Sequence, residues 1–437
     1  MVNRLNTLLA LMLLLLLTAT AYWSGLYGDF MFDDAYAVRD NTLLRIDALD
    51  YAQLKQAALA LPAPSFWQSR WVAMLTFGLN HYFTQLDTLY FKATNLVLHL
   101  LTGLALFFLT RALLRLASLP LPMSHARITG ISLVVTAVWL LHPLHVSTVL
   151  YIVQRMAILS SLFSVLAMLS YVHGRTLLIQ GQQRGWVWLL TAVPLLMGLA
   201  FFSKENGLLI PVFLLAIEML VLQFCTAYRW QRHALQLLFG LGVVLPLLWM
   251  LLWVLTHWPE MAATYAGRDF TLEERLLTQA RVVWFYLGLV LLPAISVMGM
   301  FHDDFPLSTS VWMPWTTSLA LVAWPLVVGL LVHLRRTAPL LLLGLLFFLI
   351  GHMLESTVFA LELIFEHRNY LASFGLIFGL VATVGDGRLY AHKPKILLAM
   401  TGALLVLLLV MTHARSYAWG NSIRMYVHET INHPNSL

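Results

Sequence analysis

The sequence has one cysteine, Cys225, in 437 residues, and only 11% of its side chains are charged. A lone cysteine excludes an intrachain disulfide and any cysteine-ligated zinc cluster, so loops outside a membrane must be held by packing and hydrogen bonds. The scarcity of charge, set against 60% hydrophobic side chains, excludes water as the main solvent of the fold and marks an integral membrane protein. No repeat of fixed period and no low-complexity linker divides the chain. The formal charge of +6 calls for no nucleic-acid partner, because the basic residues fall in short clusters between apolar runs, where they orient helices in a bilayer.

What is present is a succession of apolar runs. Eleven have the length and composition to cross a hydrocarbon core of about 30 Å: residues 7–25, 91–112, 128–143, 150–172, 186–202, 207–225, 235–256, 315–334, 338–354, 371–386 and 396–413. The expected fold is therefore an all-α polytopic membrane protein. Arg4 before the first run and the tripeptide ATA after it suit a cleavable signal, but the length of the run and the Tyr22, Trp23 and Tyr27 belt suit a first span better.

The turns after every second span carry Arg111, Arg115 and Arg127; Arg175 and Arg184; Arg229 and Arg232; Arg335 and Arg336; and Arg388, Lys393 and Lys395. The positive-inside rule makes these turns and the N-terminus cytoplasmic. Residues 26–90, residues 257–314 and a tail at 414–437 then face outward from a transmembrane unit spanning 1–413. Of the 20 acids, only Glu218 and Asp386 fall elsewhere than on the outer face. The working face is expected on the outer side of the membrane.

Both long outer segments carry helical patterns. The stretch DALDYAQLKQAALAL is amphipathic, and in PAPSFWQSRWVAMLTFGLNHYF the residues Trp67, Arg70, Trp71 and Phe77 suit a helix lying at the interface. Residues 282–296 are apolar enough to span, but both flanks must be outside if Arg335 and Arg336 are inside. They read as a re-entrant or interfacial helix.

The chemistry-bearing residues concentrate on the same face. In GDFMFDDAYAVRDN, Asp33 and Asp34 stand just beyond the first membrane boundary. One carboxylate beside another can have a raised pKa and act as a general base, while the plainer role for such an Asp is a helix N-cap. Arg70, Arg155, Lys204, Arg281 and Arg368 are candidates to grip a phosphate. The alternative is snorkelling toward lipid headgroups, the reading taken for Lys92, or an ion pair, as between Lys204 and Glu205 or a facing acid. His302, Asp303 and Asp304 in FHDDFP, with Glu366 and His367 in IFEHRNYLAS, form a candidate metal or acceptor site. His142 and His145 flank Pro143 and read as a turn.

Taken in order, FMFDDAYAVRDN, SRWVAMLTFGLNHYF, FKATNLVLHLLTGLALF, WLLHPLHVSTVLYIVQRMAILSSLF, GLAFFSKENGLLIPVFLLAIE, LTQARVVWFYLGLVLLP, FHDDFPLSTS and HMLESTVFALELIFEHRNYLASFGL resemble the bacterial relatives of the transmembrane and tetratricopeptide-repeat-containing O-mannosyltransferases. The resemblance runs over about residues 20–380. It implies a GT-C glycosyltransferase that takes a sugar from a polyprenyl-phosphate donor on the outer face. It also implies an acidic base in the first outer loop, which falls on Asp33 and Asp34, and basic residues at the lipid phosphate. One direct displacement inverts the anomeric centre. The implied partners are the donor, membrane lipids and an extracytoplasmic protein acceptor, for which type IV pilin is a candidate; a divalent metal is the one candidate cofactor. Family members commonly continue into repeats, whereas this sequence stops at SYAWGNSIRMYVHETINHPNSL, so an acceptor is not carried over from them. The alternatives are a transferase acting on lipid A or another glycan, an oligosaccharyltransferase, and a flippase for polyprenyl-linked sugars. A flippase predicts ionisable residues at the midplane and paired broken helices, and the sequence offers Glu218 alone and no repeat symmetry.

Overall fold

The computed structural model describes residues 4–61, 69–117, 123–386, 394–434 and 436. Trp67, Arg388 and Lys393 lie outside the described residues. Among the described residues every regular element is helical, as expected for an all-α polytopic membrane protein. Each of the eleven apolar runs falls on a helix. Among the described residues, seven helices are long and apolar enough to cross a membrane, and an eighth arises if His125–Leu140 and Pro143–Leu150, bent by 48° at their junction, form one span. Gly185–Phe201 and Pro339–His352 are apolar but shorter.

Two contacts organise the bundle. Pro339–His352 lies against Asn369–Gly385 at backbone distance, because glycines face each other. A Cβ on Gly344 would stand 2.4 Å from the carbonyl oxygen of Gly375, and one on Gly375 would stand 2.5 Å from that of Gly344. Small residues permit this approach where apolar side chains gain little by leaving lipid. The second contact joins the chain's two ends: the Gly25 N–H donates to Ser416 Oγ at 3.1 Å, and that hydroxyl donates to the Tyr22 carbonyl at 3.0 Å.

The amphipathic stretch after residue 47 forms the helix Tyr51–Ala58, capped by the Asp50 carboxylate, which accepts the Gln53 N–H at 2.9 Å. Trp71–Thr84 is the helix expected around Trp71 and Phe77. The apolar stretch near 282 belongs to Leu272–Leu291, opened by a capping box between Thr271 and Glu274. His142 and His145 flank and end a short 3-10 turn at Pro143, both buried.

Two charges sit differently from expectation. Arg175 lies inside the helix Arg155–Ile179 rather than in a turn, fully buried, because Glu218 meets its guanidinium at 2.7 and 2.9 Å. The mid-span acid is thus neutralised by a neighbouring helix. Lys92 is fully buried under the first loop rather than snorkelling; its Nζ sits 2.7 Å from where a Gly28 Cβ would be.

Candidate active site

The first loop returns toward the bundle at Phe32, a bulky residue held at φ 44°. An aromatic residue in the left-handed region is strained and needs surroundings that fix it. Here the ring lies 4.2 Å, centroid to centroid, from that of Phe301.

The two adjacent aspartates then diverge. Asp34 is fully buried, and its carboxylate accepts three main-chain N–H groups: Val153 at 2.7 Å, Met31 at 3.1 Å and Ile152 at 3.3 Å. Burial pushes its carboxyl up to about 7, against those three donors and the nearby Lys92 ammonium. Asp33 is exposed, and its main-chain N–H donates to the Tyr151 hydroxyl at 2.9 Å. One aspartate anchors the loop and the other presents a carboxylate.

Asp33 stands on the wall of a cavity of about 790 Å³, facing Tyr151, His302, Asp303, Glu366 and His367. Glu366 is buried, accepts the Gly299 N–H at 3.1 Å and is ion-paired with Arg415. Burial raises its carboxyl, but Arg415 and His302 together outweigh that and hold it below the ordinary glutamate range.

A smaller cavity of about 30 Å³ adjoins this one, sharing His367 and lined also by Lys204 and Arg368. Lys204 is paired with the buried Glu355 at 2.6 Å, and Asn206 donates to the same carboxylate at 3.4 Å. Arg368 donates to the carbonyls of Glu362 and Leu363 at 2.7 and 2.9 Å, leaving its Nε without a partner.

The other sequence candidates do not themselves line either cavity. Arg155 is fully buried, donating to Asn95 at 2.8 Å and to the carbonyls of Thr76 and Phe91 at 3.0 Å each, with its guanidinium 4.5 Å from the Phe77 ring. Arg70 is bidentate to Glu205 at 2.9 and 3.0 Å. Arg281 donates to the Pro306 carbonyl at 2.6 Å and lies over Phe305, itself a wall residue of the larger cavity. Asp304 turns toward His433 of the C-terminal segment, 3.2 Å away.

Tyr151, Glu355, Arg415 and His433 escaped the sequence reading. Arg415 carried a signal, as a lone basic residue just beyond the last apolar run. The others gain meaning only from partners distant in the chain.

The chain is similar to curated proteins of animals. It is 25% identical over 236 residues to the protein O-mannosyl-transferase TMTC3 of Mus musculus, covering 53% of this chain and 24% of that protein. The human protein of the same name is 24% identical over 227 residues, 51% of this chain and 23% of that protein. Human protein O-mannosyl-transferase TMTC1 is 28% identical over 161 residues, 34% of this chain and 16% of that protein. The chain thus spans about a quarter or less of the length of these relatives. No family model matches it, and no solved structure does.

Proposed function

We propose that this protein is a glycosyltransferase that moves a sugar from a polyprenyl-phosphate donor to a hydroxyl of a protein outside the membrane. The observation that carries the reading is the division of labour at the first loop: buried Asp34 fixes the backbone, and exposed Asp33 faces a cavity walled by Glu366 and His367. The similarity to protein O-mannosyl-transferases supports the same class.

Asp33 accepts the proton of the acceptor hydroxyl as its oxygen attacks the anomeric carbon. The bond from that carbon to the phosphate oxygen breaks on the opposite face, inverting the centre. Lys204 and Arg368, on the adjoining cavity, supply positive charge for the leaving phosphate. Glu355 competes for Lys204 until the donor arrives. The prenyl tail lies in lipid against the apolar helices. For a bacterial chain this face is periplasmic, and pilin is one acceptor of suitable kind.

The test is transfer by the full chain in membranes, with synthetic polyprenyl-phosphate mannose or a pentose analogue and purified acceptor proteins, read by intact mass. A single hexose or pentose increment is expected with the wild type and none with Asp33→Asn. Equal transfer by the variant removes Asp33 from the mechanism.

A further inference from the structure

Among the described residues, one group combines three metal-capable side chains: His302, Asp304 and His433, whose ligand atoms all lie within 4.8 Å of one another. We propose that these residues bind a divalent transition-metal ion of the zinc type, which clamps the C-terminal segment to the rim of the larger cavity. The inference goes beyond the transferase reading and does not rest on it.

The first support is spacing. Ligand atoms about 2.0–2.2 Å from a tetrahedral ion sit about 3.3–3.6 Å apart, and the Nδ1 of His433 already stands 3.2 Å from Asp304 Oδ2. The remaining separations are within 4.8 Å.

The second support is a set of polar atoms left with nothing to bond. Both imidazoles are more than nine-tenths buried. The Nε2 of His302 and the Nε2 of His433 have no hydrogen-bond partner, and neither does Glu429 Oε2. The nearest carboxylate to His302 Nε2, that of Glu366, is 3.9 Å away and out of hydrogen-bond reach. Buried polar atoms are normally paired; an ion bound through His433 Nδ1 gives the His302 Nε2 a partner and fixes the His433 Nε2 as an N–H donor beside the Glu429 carboxylate.

Gly299 leaves the room. A Cβ at that position would stand 2.8 Å from both Glu429 Oε2 and His433 Nε2. Glu429 also pins the segment through its other oxygen, which accepts the Met300 N–H at 3.1 Å.

The ligand chemistry chooses the metal. Two imidazoles with one carboxylate suit zinc and its first-row neighbours, while magnesium and calcium prefer all-oxygen shells. Three protein ligands leave a coordination position for water.

The experiment uses the full chain, purified in detergent, stripped with chelator and titrated with Zn²⁺ against a chromogenic competitor. One tight Zn²⁺ per chain is expected, with a rise in Tm. His302→Ala and His433→Ala should weaken binding at least about tenfold and abolish the Tm rise. A gain-of-signal variant covers misfolding: in a Cys225→Ser background, His433→Cys should acquire a thiolate-to-cobalt charge-transfer band on adding Co²⁺. Absence of stoichiometric zinc in the wild type, equal binding by the alanine variants, or no cobalt band overturns the proposal.

Discussion

The carboxylate of Asp34 accepts the main-chain N–H of Val153 at 2.7 Å, joining two segments 119 residues apart. Its neighbour Asp33 holds the loop through its main-chain N–H, which donates to the Tyr151 hydroxyl at 2.9 Å, and keeps its side chain exposed. Stability and activity should therefore separate between these two positions.

Asp34→Ala removes an acceptor from three N–H groups, and each buried donor left unsatisfied costs about 1–3 kcal/mol. Thermal unfolding in detergent should show a lower Tm for this variant, by well over that of Asp33→Ala. Matching Tm values for the two would show that the buried carboxylate is dispensable to the loop.

Asp33→Asn should leave Tm unchanged and cut transfer by roughly 10²–10⁴-fold, the usual worth of a general base. The readout is initial rate at saturating donor. A rate within a few-fold of wild type would assign the proton to another group.

The Lys204–Glu355 pair makes a pH-dependent contribution. Burial raises the Glu355 carboxyl, but Lys204, Arg368 and His367 outweigh it and hold the group below the ordinary glutamate range. The unfolded chain takes up that proton first on acidification. The pair's stabilisation is therefore full above the ordinary glutamate range and is lost as pH falls toward the folded value. Glu355→Gln strands a buried cation, costing about 3–5 kcal/mol near neutrality. The Tm gap between wild type and variant should narrow as the pH drops below about 4.5; a gap independent of pH would show that the carboxylate is not ionised in the fold.

The glycine contact gives a steric test. A methyl on Gly375 meets backbone or Cβ atoms at 2.5–3.0 Å, whereas one on Gly198 meets nothing within 4 Å. Gly375→Ala should lose about 1–3 kcal/mol of stability, read as a lower Tm, and Gly198→Ala should lose none. Equal melting would mean that the two helices separate without cost.

Hydrophobic runs are local, so the helices were legible from sequence: each apolar stretch between 7 and 413 has its helix. The site was legible as a set of residues more than as an arrangement. Asp33, His302, Asp303, Glu366 and His367 do share one cavity. Nothing in consecutive aspartates says which is buried, since the answer depends on N–H groups at 152 and 153. Arg155 looked like a phosphate ligand because a charge in an apolar run demands a partner; its partners are Asn95 and two carbonyls, invisible to any spacing rule. His433 lies 131 positions from His302, and no motif links them.

The stitch between Gly25 and Ser416 bears on how the protein is made. The two residues are 391 positions apart, and a Cβ on Gly25 would meet Ser416 Oγ at 2.6 Å and Leu150 Cδ1 at 2.1 Å. The helix that leads into Gly25 therefore waits through the synthesis of 391 further residues for the neighbour that completes its packing. During that interval the face that meets Ser416 is available to lipid or to an insertion chaperone, and a chain whose synthesis stops before Ser416 leaves that face uncovered.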